Sequence, residues 1–499
     1  MRTSCADDAF NASRVRFEQV CSFMGGQEAS GLTHGELETR LTVDVREVVR
    51  QLYQDHLDLR AVREERLGKV TDAGGVGRGS VEAGHVRPLL TIFGEVGVTR
   101  LAYRRGGKDN LYPADAALNL PTELHSHGLR QFSAIESARA SFEEASGAVR
   151  RATGVSLGKR QVEQLAARAA VDFEAFYEHP SRTPLPVTNG DVLVLSADGK
   201  GIVMRPEALR AATANAAGKA TTKLKTRLSK GEKRNRKRMA EVGAVYDATP
   251  TARVPGDIIG GNDAERTPAP KATNKWLTAS VVHDTATVIS QVFDEADRRD
   301  PTHQRTWIAL LDGNNHQIER INAEAQARHV QVTIVVDFIH VLEYLWSSAW
   351  SFFTEGDPAA EGWVANKALA VLNGQASTVA AAIRRKATCL RLDPRARDNA
   401  DRCANYLLAK RDYLNYPQAL EQGWPIATGV IEGACRHLVK DRLDLTGARW
   451  GLHGAEAILK LRALRTNGDF DEYWNFHLNK EQHRIHETRY ANHIIPTAA

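Results

Sequence analysis

The sequence predicts a mixed α/β core that is interrupted by a helical insertion and preceded by a largely helical region. Three observations lead to this fold class. Short runs rich in Val, Ile and Leu alternate with helical apolar spacing between residues 192 and 336. Apolar residues then recur three and four positions apart from Leu342 to about Tyr416, which is typical of helices. The chain has 499 residues, too many for one hydrophobic core, so several domains are expected.

The first part of the chain combines helices with a strand-rich stretch. Residues up to Leu67 have helical apolar spacing, and the glycine-rich stretch Gly68–Gly84 predicts a linker or loop. A strand is expected over Leu89–Arg104, where Val96-Gly97-Val98 indicates a hairpin or a bulge.

Two helices joined by a short turn are expected over Ser141–Ala170. The first begins with a capping box of Ser141 and Glu144 and ends at Gly154, and the second begins near Ser156. This pattern predicts a helix-turn-helix, for which an ordinary helical hairpin is the alternative. The DNA-binding residues of such a unit would be Lys159, Arg160 and Gln161.

The central sheet is expected to contain five short strands separated by two helices. The helices are predicted over Thr285–Arg299 and His316–Ala327. A further helix begins at Thr428-Gly429 and runs through Val439. The order of three strands, helix, strand, helix and strand predicts a sheet of the ribonuclease H type. The strands are predicted over Val192–Ala197, Gly201–Arg205, Met239–Tyr246, Trp307–Leu311 and Val330–Val336.

These patterns divide the chain into five predicted segments. A helical N-terminal region with its glycine-rich linker is followed by a strand-containing, helix-turn-helix-like DNA-binding region. The ribonuclease H-like core comes next, is interrupted by an all-helical insertion, and is then completed by a last segment that also carries the C-terminal tail. In order, the segments are residues 1–84, 85–185, 186–345, 346–425 and 426–499.

Three carboxylates stand where these elements would bring them together. Asp198 follows the first buried strand and Asp312 follows the fourth, and both precede a glycine. Two adjacent carboxylates repel, and Mg²⁺ (or Mn²⁺) is a cation that would neutralise them. Glu432, in the first turn of a later helix, would complete a site for two such ions. The alternatives are turn positions for the aspartates and a helix-dipole interaction for Glu432.

Asp337 and His340 follow the fifth predicted strand at a spacing of three residues. Such a pair is a candidate for binding a metal ion or for positioning a carboxylate. A structural histidine is the alternative.

Basic side chains near these acids are candidates for contacts with DNA. The run Lys219–Arg238 contains ten basic residues and one acid, which predicts contacts with phosphates, for which a solvated helix face is the alternative. Helical spacing aligns Glu432 with Arg436 and Lys440, for which an intrahelical salt bridge is the alternative. Trp450 would stack on an unpaired base or close the core. The further candidates for DNA binding are Lys233, Arg234, Arg236, Lys237, Arg238 and Arg449.

Composition narrows the class of protein. The formal net charge is only +5, so charge distribution is more informative than the total. The five cysteines are widely spaced and form no CxxC pair, which argues against a zinc site or a disulfide framework. Met1–Phe17 lacks the apolar segment of a secretory signal, and no run approaches the length of a membrane span. A cytoplasmic protein, associated with the nucleoid when active, is expected.

Four phrases of the chain resemble ISKra-type insertion-sequence transposases: "LYPADAALNLP", "LLDGNNHQ", "VVDFIHVLEYLW" and "GVIEGACRHLVKDRLDLTGARW". The resemblance extends from about Leu89 to Leu464. It implies a ribonuclease H-like core whose DDE triad is Asp198, Asp312 and Glu432. It also matches Asp337 and His340 to an aspartate-x-x-histidine motif.

The resemblance implies a transposase that cuts and joins double-stranded DNA at element ends and at a target site, and a homodimer on DNA. Two other classes of protein stay open. The first is a catalytically inactive DNA-binding protein derived from a transposase. The second is a glycoside hydrolase, which also uses paired carboxylates but for which the basic runs have no use.

Overall fold

The computed structural model describes residues 9–179, 192–219, 236–260, 266–445 and 447–497. The chain forms two compact units, Met1–Pro180 with Gly468–Ala499 and Ser181–Asn467. Each unit contains its own sheet. Within the described ranges, no helix is both long enough and apolar enough to cross a membrane.

The first unit is mainly helical, as its apolar spacing predicts. Its three-stranded antiparallel sheet has the order β1-β2-β3, with β1 over Ser80–Thr91, β2 over Gly94–Arg105 and β3 over Lys108–Leu111. Its helices are Asn11–Met24, Gln27–Ser30, His34–Arg63, Pro113–Ala117, His127–Arg139, Phe142–Thr153, Lys159–Ala169, Phe173–Tyr177 and Phe470–Glu481, followed by the single turns Gln482–His486, Glu487–Arg489 and Ala491–His493.

The strand-like stretch Leu89–Arg104 contains a hairpin, one of the two features expected there, but the predicted position of its turn at Val96-Gly97-Val98 is wrong. The turn falls at Ile92-Phe93, and Gly97 lies inside β2 opposite Pro88. Gly97 is not a turn residue here. Its backbone N–H donates to the side chain of Gln54 (2.7 Å), whose amide donates back to the Gly97 carbonyl (3.0 Å). The Gln54 side chain thus joins the helix His34–Arg63 to the backbone of β2.

The two helices expected over residues 141–170 are confirmed. Ser141 and Glu144 form the capping box, and Gly154 ends the first helix with a φ of 74°, a conformation that favours glycine. The second helix begins at Lys159, three residues later than predicted. A preceding helix supplies Leu129 to the apolar core that both helices share.

The second unit contains a five-stranded mixed sheet surrounded by helices. The strands are β4 (Val192–Val203), β5 (Lys237–Ala248), β6 (Ala272–Ser280), β7 (Trp307–Leu311) and β8 (Val332–Val336). The α-helices are Ala211–Lys219, Pro255–Ile258, Thr285–Arg299, Asn315–Ala327, Phe338–Ala349, Pro358–Leu372, Ala376–Cys389, Asp398–Ala409, Tyr416–Glu421, Gly429–Ala434, Asp441–Leu443 and Leu452–Asn467, with 3₁₀ turns at Pro206–Ala208 and Arg411–Tyr413 and a π-helical segment at Cys435–Lys440.

The strand order in this sheet is β6-β5-β4-β7-β8. The pairs β6–β5 and β5–β4 are antiparallel, whereas β4–β7 and β7–β8 are parallel. The prediction that the strands before Asp198 and Asp312 are parallel neighbours is therefore confirmed. This mixed sheet is compatible with a ribonuclease H-like core.

Two of the predicted strands, Val192–Ala197 and Gly201–Arg205, are in fact one continuous strand. All twelve residues of β4 pair with β5, including Asp198, Gly199 and Lys200, where the sequence analysis predicted a break between two strands. A Cβ atom on Gly199 would lie 3.0 Å from the Met239 side chain, and one on Gly201 would lie 2.9 Å from Lys237. These glycines make room for side chains of the neighbouring strand.

The third strand of the sheet was missed by the sequence analysis. It is β6, Ala272–Ser280, whose sequence ATNKWLTAS contains few apolar residues and no regular alternation. The strand is recognised only by its antiparallel pairing with β5, because its local sequence pattern does not indicate a strand.

Candidate active site

Asp198 and Asp312 lie at the same level of the sheet on neighbouring parallel strands. The β4–β7 ladder ends with Leu195 opposite Ala309, and three further residues along each strand lead to Asp198 and Asp312. Neighbouring strands lie about 4.8 Å apart, so the two backbones are close at this edge. Asp198 is in the middle of β4 and not at its end, but it stands where the shorter partner β7 stops.

Asp337 lies at the same level of the sheet as Asp312, at the end of the next strand, β8. The β7–β8 ladder ends with Leu311 opposite Val336, and the next residues are Asp312 and Asp337. The backbone N–H of Asp337 donates to the Leu311 carbonyl (2.7 Å), which continues the ladder to this level. Three aspartates therefore stand in register at the carboxyl edge of three parallel strands.

Asp198 and Asp312 belong to the face of the sheet that the helical insertion covers. Side chains two residues apart on a strand share a face. Val194 and Leu310, which lie four and two residues before the two aspartates, are both buried in the core that contains the insertion helices. The contact of Asp198 with Cys435, described next, places the helical segment of Glu432 on this face as well.

The half-buried Asp198 is linked to the helical segment that carries Glu432. The thiol of Cys435 donates to Oδ2 of Asp198 (3.2 Å), and the next backbone N–H, from Gly199, donates to Oδ1 (2.6 Å). Burial and the proximity of Asp198 raise the pKa of the Cys435 thiol, so it stays a neutral donor. Cys435 begins the π-helical segment directly after Glu432's turn.

Asp312 forms a tight turn after β7. Its Oδ1 accepts from the backbone N–H of Asn314 (2.8 Å), which is the turn role that the sequence analysis weighed as an alternative. Its Oδ2 has no hydrogen-bond partner among the described residues. Because only one oxygen is used by the turn, the structural role and a ligand role are compatible.

Asp337 is buried, with an exposed fraction of 2%, and caps the helix Phe338–Ala349. Its Oδ1 accepts from the N–H of Ile339 (2.8 Å), and its Oδ2 accepts from the hydroxyl of Thr428. Burial raises the pKa of Asp337, although these hydrogen bonds oppose the shift. Each carboxylate oxygen of Asp337 therefore accepts one hydrogen bond, and these bonds join the end of β8 to the segments that begin at Phe338 and Thr428.

The same contacts fix where the Glu432 helix begins. The hydroxyl of Thr428 is bound to Asp337, and the N–H of Phe338 donates to the carbonyl of Ile426 (2.8 Å). Thr428 is the residue before the helix Gly429–Ala434, in whose first turn Glu432 lies. The end of β8 therefore anchors the segment that carries the third predicted acid.

The side chain of Glu432 is exposed, but its pKa is affected by the charges of the other acids. Partial burial raises its pKa, and the negative charges of Asp337, Glu343 and Asp198 raise it further, while His340 opposes them. The rise in the pKa of Glu432 indicates that its side chain lies close enough to the other carboxylates to be affected by their charge. We call Asp198, Asp312, Asp337 and Glu432 the strand-end acids.

The strand-end acids fit a site for hard divalent cations in their chemistry, because every donor atom is a carboxylate oxygen. The ligand oxygens of Asp198, Asp312 and Glu432 do not all lie within 4.8 Å of one another, within the part of the chain that the structure describes. A single ion would need a closer cluster, whereas two ions roughly 3.5–4 Å apart require a wider one. Among the described residues, the three acids therefore do not form the close cluster that a single ion needs.

His340 lies on the helix that Asp337 caps and forms an ion pair with Glu343 (3.2 Å). Its ring also contacts the edges of Tyr344 and Tyr406. The structure thus brings His340 near the strand-end acids, where its charge lowers the pKa of Asp337 and of Glu432.

The sequence analysis missed two residues of the helical insertion that contact the loop after β7. The hydroxyl of Tyr406 donates to the Asp312 carbonyl (3.0 Å), and the buried ammonium of Lys410 donates to the side chain of Asn315. These residues lie more than ninety positions from Asp312 and Asn315 in sequence. Local spacing carries no signal for such contacts.

The three candidates for base contacts stand at the exposed start of the helix Lys159–Ala169. Arg160 is exposed, whereas Lys159 forms an exposed ion pair with Glu143 (2.8 Å). The side-chain oxygen of Gln161 accepts from the N–H of Gly158 (2.8 Å) and so caps the helix. Only the amide NH₂ of Gln161 is left for a base edge.

The basic run is only partly described. Lys233 and Arg234 lie outside the described residues, while Arg236, Lys237 and Arg238 stand at the start of β5. The guanidinium of Arg238 donates to the carbonyls of Val281 (2.7 Å) and Ala208 (3.3 Å), so it holds two loops of the unit.

The remaining candidates divide into exposed and buried positions. Arg436 and Lys440 are exposed, but the intervening π-helical segment changes the spacing that was expected to align them with Glu432. Arg449 is exposed. Trp450 is buried, and its indole donates to the Leu443 carbonyl (3.0 Å), which is the core position that the sequence left as an alternative.

Comparison with known proteins does not identify a family for this chain. No protein-family model matches the chain, and no curated protein matches it. Among solved structures, the chain is similar to the Drosophila P element transposase strand transfer complex, with 10% sequence identity, coverage of 74% of this chain and 81% of the other, and a TM-score of 0.22. At this TM-score the likeness carries no weight for the function, which has to be inferred from the strand register and the charges of the site.

Proposed function

We propose that this protein is a DDE-type transposase that cleaves and joins DNA strands at the ends of an insertion sequence. The observation that carries the proposal is the register of Asp198 and Asp312 on parallel neighbours of a mixed five-stranded sheet. The shared electrostatic field of Asp198 and Glu432 supports adding the third acid. Three of the four phrases that resemble ISKra-type transposases lie at these elements: "LLDGNNHQ" contains Asp312, "VVDFIHVLEYLW" begins at the end of β8, and "GVIEGACRHLVKDRLDLTGARW" contains Glu432.

Asp198, Asp312 and Glu432 are the proposed ligands of two Mg²⁺ or Mn²⁺ ions. When bound, such ions activate an attacking hydroxyl and stabilise the leaving oxygen of a phosphodiester. The residues of the chain supply position and negative charge. Asp198 is held by Cys435, and Asp312 by its own turn. Asp337 fixes the start of the Glu432 helix through Thr428.

Double-stranded DNA is the proposed partner, bound as element end and as target. Exposed Lys159, Arg160 and the Gln161 amide would contact element ends from the start of one helix. Arg436, Lys440 and Arg449, together with the run that contains Lys233 and Arg234, would contact phosphates. A homodimer on DNA, a cytoplasmic location and the five-segment domain division belong to the same proposal.

The experiment is strand nicking of a plasmid that carries the DNA flanking this gene, with Mg²⁺ or Mn²⁺. We expect Asp312→Asn to reduce nicking below roughly one-thousandth of the wild-type rate, which corresponds to about 4 kcal/mol of transition-state stabilisation. Binding to the same DNA should be nearly unchanged, because the phosphate contacts lie elsewhere.

Asp357→Asn is the matched control. Asp357 is an exposed helix cap in the insertion, and asparagine caps helices equally well. It should nick DNA at the wild-type rate. If Asp312→Asn also nicks at that rate, Asp312 is only a turn residue and the assignment fails. A wild-type protein that binds the ends but never cuts them would instead favour an inactive DNA-binding protein.

A further inference from the structure

The helical insertion makes a direct contact with the loop that follows β7. The insertion helix Asp398–Ala409 carries Tyr406, whose hydroxyl donates to the backbone carbonyl of Asp312 (3.0 Å). Burial raises the pKa of Tyr406, and the neighbouring Tyr344 and Asp312 raise it further, so the hydroxyl remains a protonated donor. The contact is to the backbone of Asp312, which leaves its carboxylate free for other partners.

The position of this hydroxyl is determined from two sides. The Tyr406 ring stacks on Tyr344, with ring centroids 4.0 Å apart and planes 14° apart, and the His340 ring packs against both in T-shaped arrangements. Tyr344 and His340 are on the helix that begins after β8. The ring is therefore held by a part of the core that is itself fixed to the sheet.

Gly313 shows how closely the loop and the tyrosine fit. Gly313 has a φ of 89°, and a Cβ atom added there would lie 2.8 Å from the Tyr406 hydroxyl oxygen. Only glycine adopts this backbone conformation easily and leaves space for the hydroxyl. The glycine after Asp312 thus serves the contact with the insertion as well as the turn.

A second contact holds the far end of the same loop. Lys410, just past the end of the Tyr406 helix, is buried, and its ammonium donates to the side chain of Asn315. The insertion therefore contacts the loop at Asp312 and again three residues later.

We propose that Tyr406 is a positioning residue that sets the orientation of the Asp312 carboxylate for metal binding. The helical insertion then has a function at the active site in addition to any contact with DNA. The inference rests on the proposed function, because it assigns Asp312 a metal-binding role. Groups that orient metal ligands typically change metal affinity 10–100-fold when they are removed.

The experiment measures Mn²⁺ binding to the full-length protein without DNA, by the loss of the free-ion paramagnetic resonance signal. Tyr406→Phe removes the hydroxyl and keeps the stacked ring. We expect it to weaken Mn²⁺ binding roughly tenfold. Gly313→Ala should weaken binding similarly through a second route, and the effects of the two substitutions should be less than additive because they break the same contact.

Tyr473→Phe is the matched control. The Tyr473 hydroxyl also donates to a backbone carbonyl, that of Ala169 (2.6 Å), and is buried, but it lies in the other unit. It should lower the Tm about as much as Tyr406→Phe while Mn²⁺ affinity stays at the wild-type value.

Wild-type Mn²⁺ affinity in Tyr406→Phe would overturn the inference, as would an equal loss of affinity in both tyrosine variants. Failure of the proposed function gives a different pattern. In that case Asp312→Asn would bind Mn²⁺ as well as the wild-type protein does, whatever the result for Tyr406.

Discussion

The two units each contain a cluster of charged side chains, and the clusters differ in how their charges are balanced. In the first unit, the guanidinium of Arg130 donates to Glu481 (2.9 Å) and to His477 (3.1 Å), and His477 contacts Asp172 (2.6 Å). Arg484 adds two hydrogen bonds to Asp172, both 3.0 Å. We call these five residues the Arg130 network. The strand-end acids of the second unit have no comparable set of cations among the described residues.

The directions of the pKa shifts follow from this difference. Burial alone would raise the pKa of Asp172, but hydrogen bonds from His477 and Arg484 lower it to about 2. The pKa of Glu481 is lowered in the same way, because Arg484 and Arg130 outweigh its burial. Burial raises the pKa values of Asp337 and Glu432, and for Glu432 the neighbouring acids add to the shift.

Balanced and unbalanced clusters therefore indicate different roles. A cluster whose charges are paired contributes to stability mainly because breaking it leaves a buried charge alone. A cluster of like charges reduces stability until a cation binds, and such clusters concentrate at functional sites. The comparison predicts that substitutions in the two clusters change stability in opposite directions.

The largest expected effect on stability comes from Arg130→Met. Arg130 has an exposed fraction of 1%, and its loss would remove one of the two guanidinium groups that bind the buried Glu481 as well as the hydrogen bond to His477. We expect the free energy of unfolding to fall by about 3–5 kcal/mol, measured by denaturant titration. Arg402→Met is the control, because the ion pair of Arg402 with Asp398 is exposed on both sides and should contribute below about 1 kcal/mol. Equal losses in the two variants would contradict a special role for the network.

A second effect is the pH dependence that Asp172 contributes. Its folded-state pKa, about 2, is below the unfolded value near 3.9. Stability from this group is therefore present above about pH 4 and is lost as the pH falls towards 2. We expect this loss to be about 1–2 kcal/mol, after allowance for solvent screening of the partly exposed Arg484. Urea titrations at pH 7 and pH 3 should show a smaller difference for Asp172→Asn than for the wild-type protein.

The third prediction concerns the exposed start of the helix Lys159–Ala169 in the first unit, where Arg160 and Gln161 lie outside the Arg130 network. Arg160→Ala should lower the preference for element-end DNA over random DNA by about 1–3 kcal/mol, if Arg160 contacts a base edge. Gln161→Glu is the variant for the neighbouring residue. Glutamate keeps the cap on Gly158 and removes the amide donor, and its added negative charge should weaken binding to both DNAs alike, which the ratio of the two affinities cancels. Paired binding titrations on the two DNAs measure the preference. An unchanged ratio in both variants would place the reading of the ends elsewhere.

The smallest expected effect is a gain of stability in the second unit. The pKa of Glu432 is raised, so its ionisation becomes unfavourable to folding as the pH rises through that pKa. Glu432→Gln should therefore be slightly more stable than the wild-type protein at pH 7, by less than about 1 kcal/mol, and the gain should vanish near pH 4. Thermal melts with added Mn²⁺ should reverse the order, because binding stabilises only the intact site. A variant that is less stable at pH 7 would contradict an unbalanced cluster.

Local sequence patterns were sufficient to predict the bounds of helices and strands whose two ends are marked by their own residues. The helix Thr285–Arg299 and the strand Trp307–Leu311 have the predicted bounds, because an N-cap, a basic last turn or a short apolar run marks their ends. The local signals failed where a partner strand decided the outcome. Asp198-Gly199 indicated the end of a strand, but pairing with β5 along the whole length of β4 keeps both residues within the strand.

The sequence by itself determined the residue types of the candidate site and the elements that carry them: Asp198 on β4, Asp312 after β7 and Glu432 in a helix. Only the tertiary structure decided that Asp337 joins their row, that its oxygens are used to anchor the Glu432 helix, and that Tyr406 holds the Asp312 loop. The reason is physical. Strand and helix propensities act over a few neighbouring residues, whereas a hydrogen bond across 94 residues depends on how the sheet and the insertion pack together.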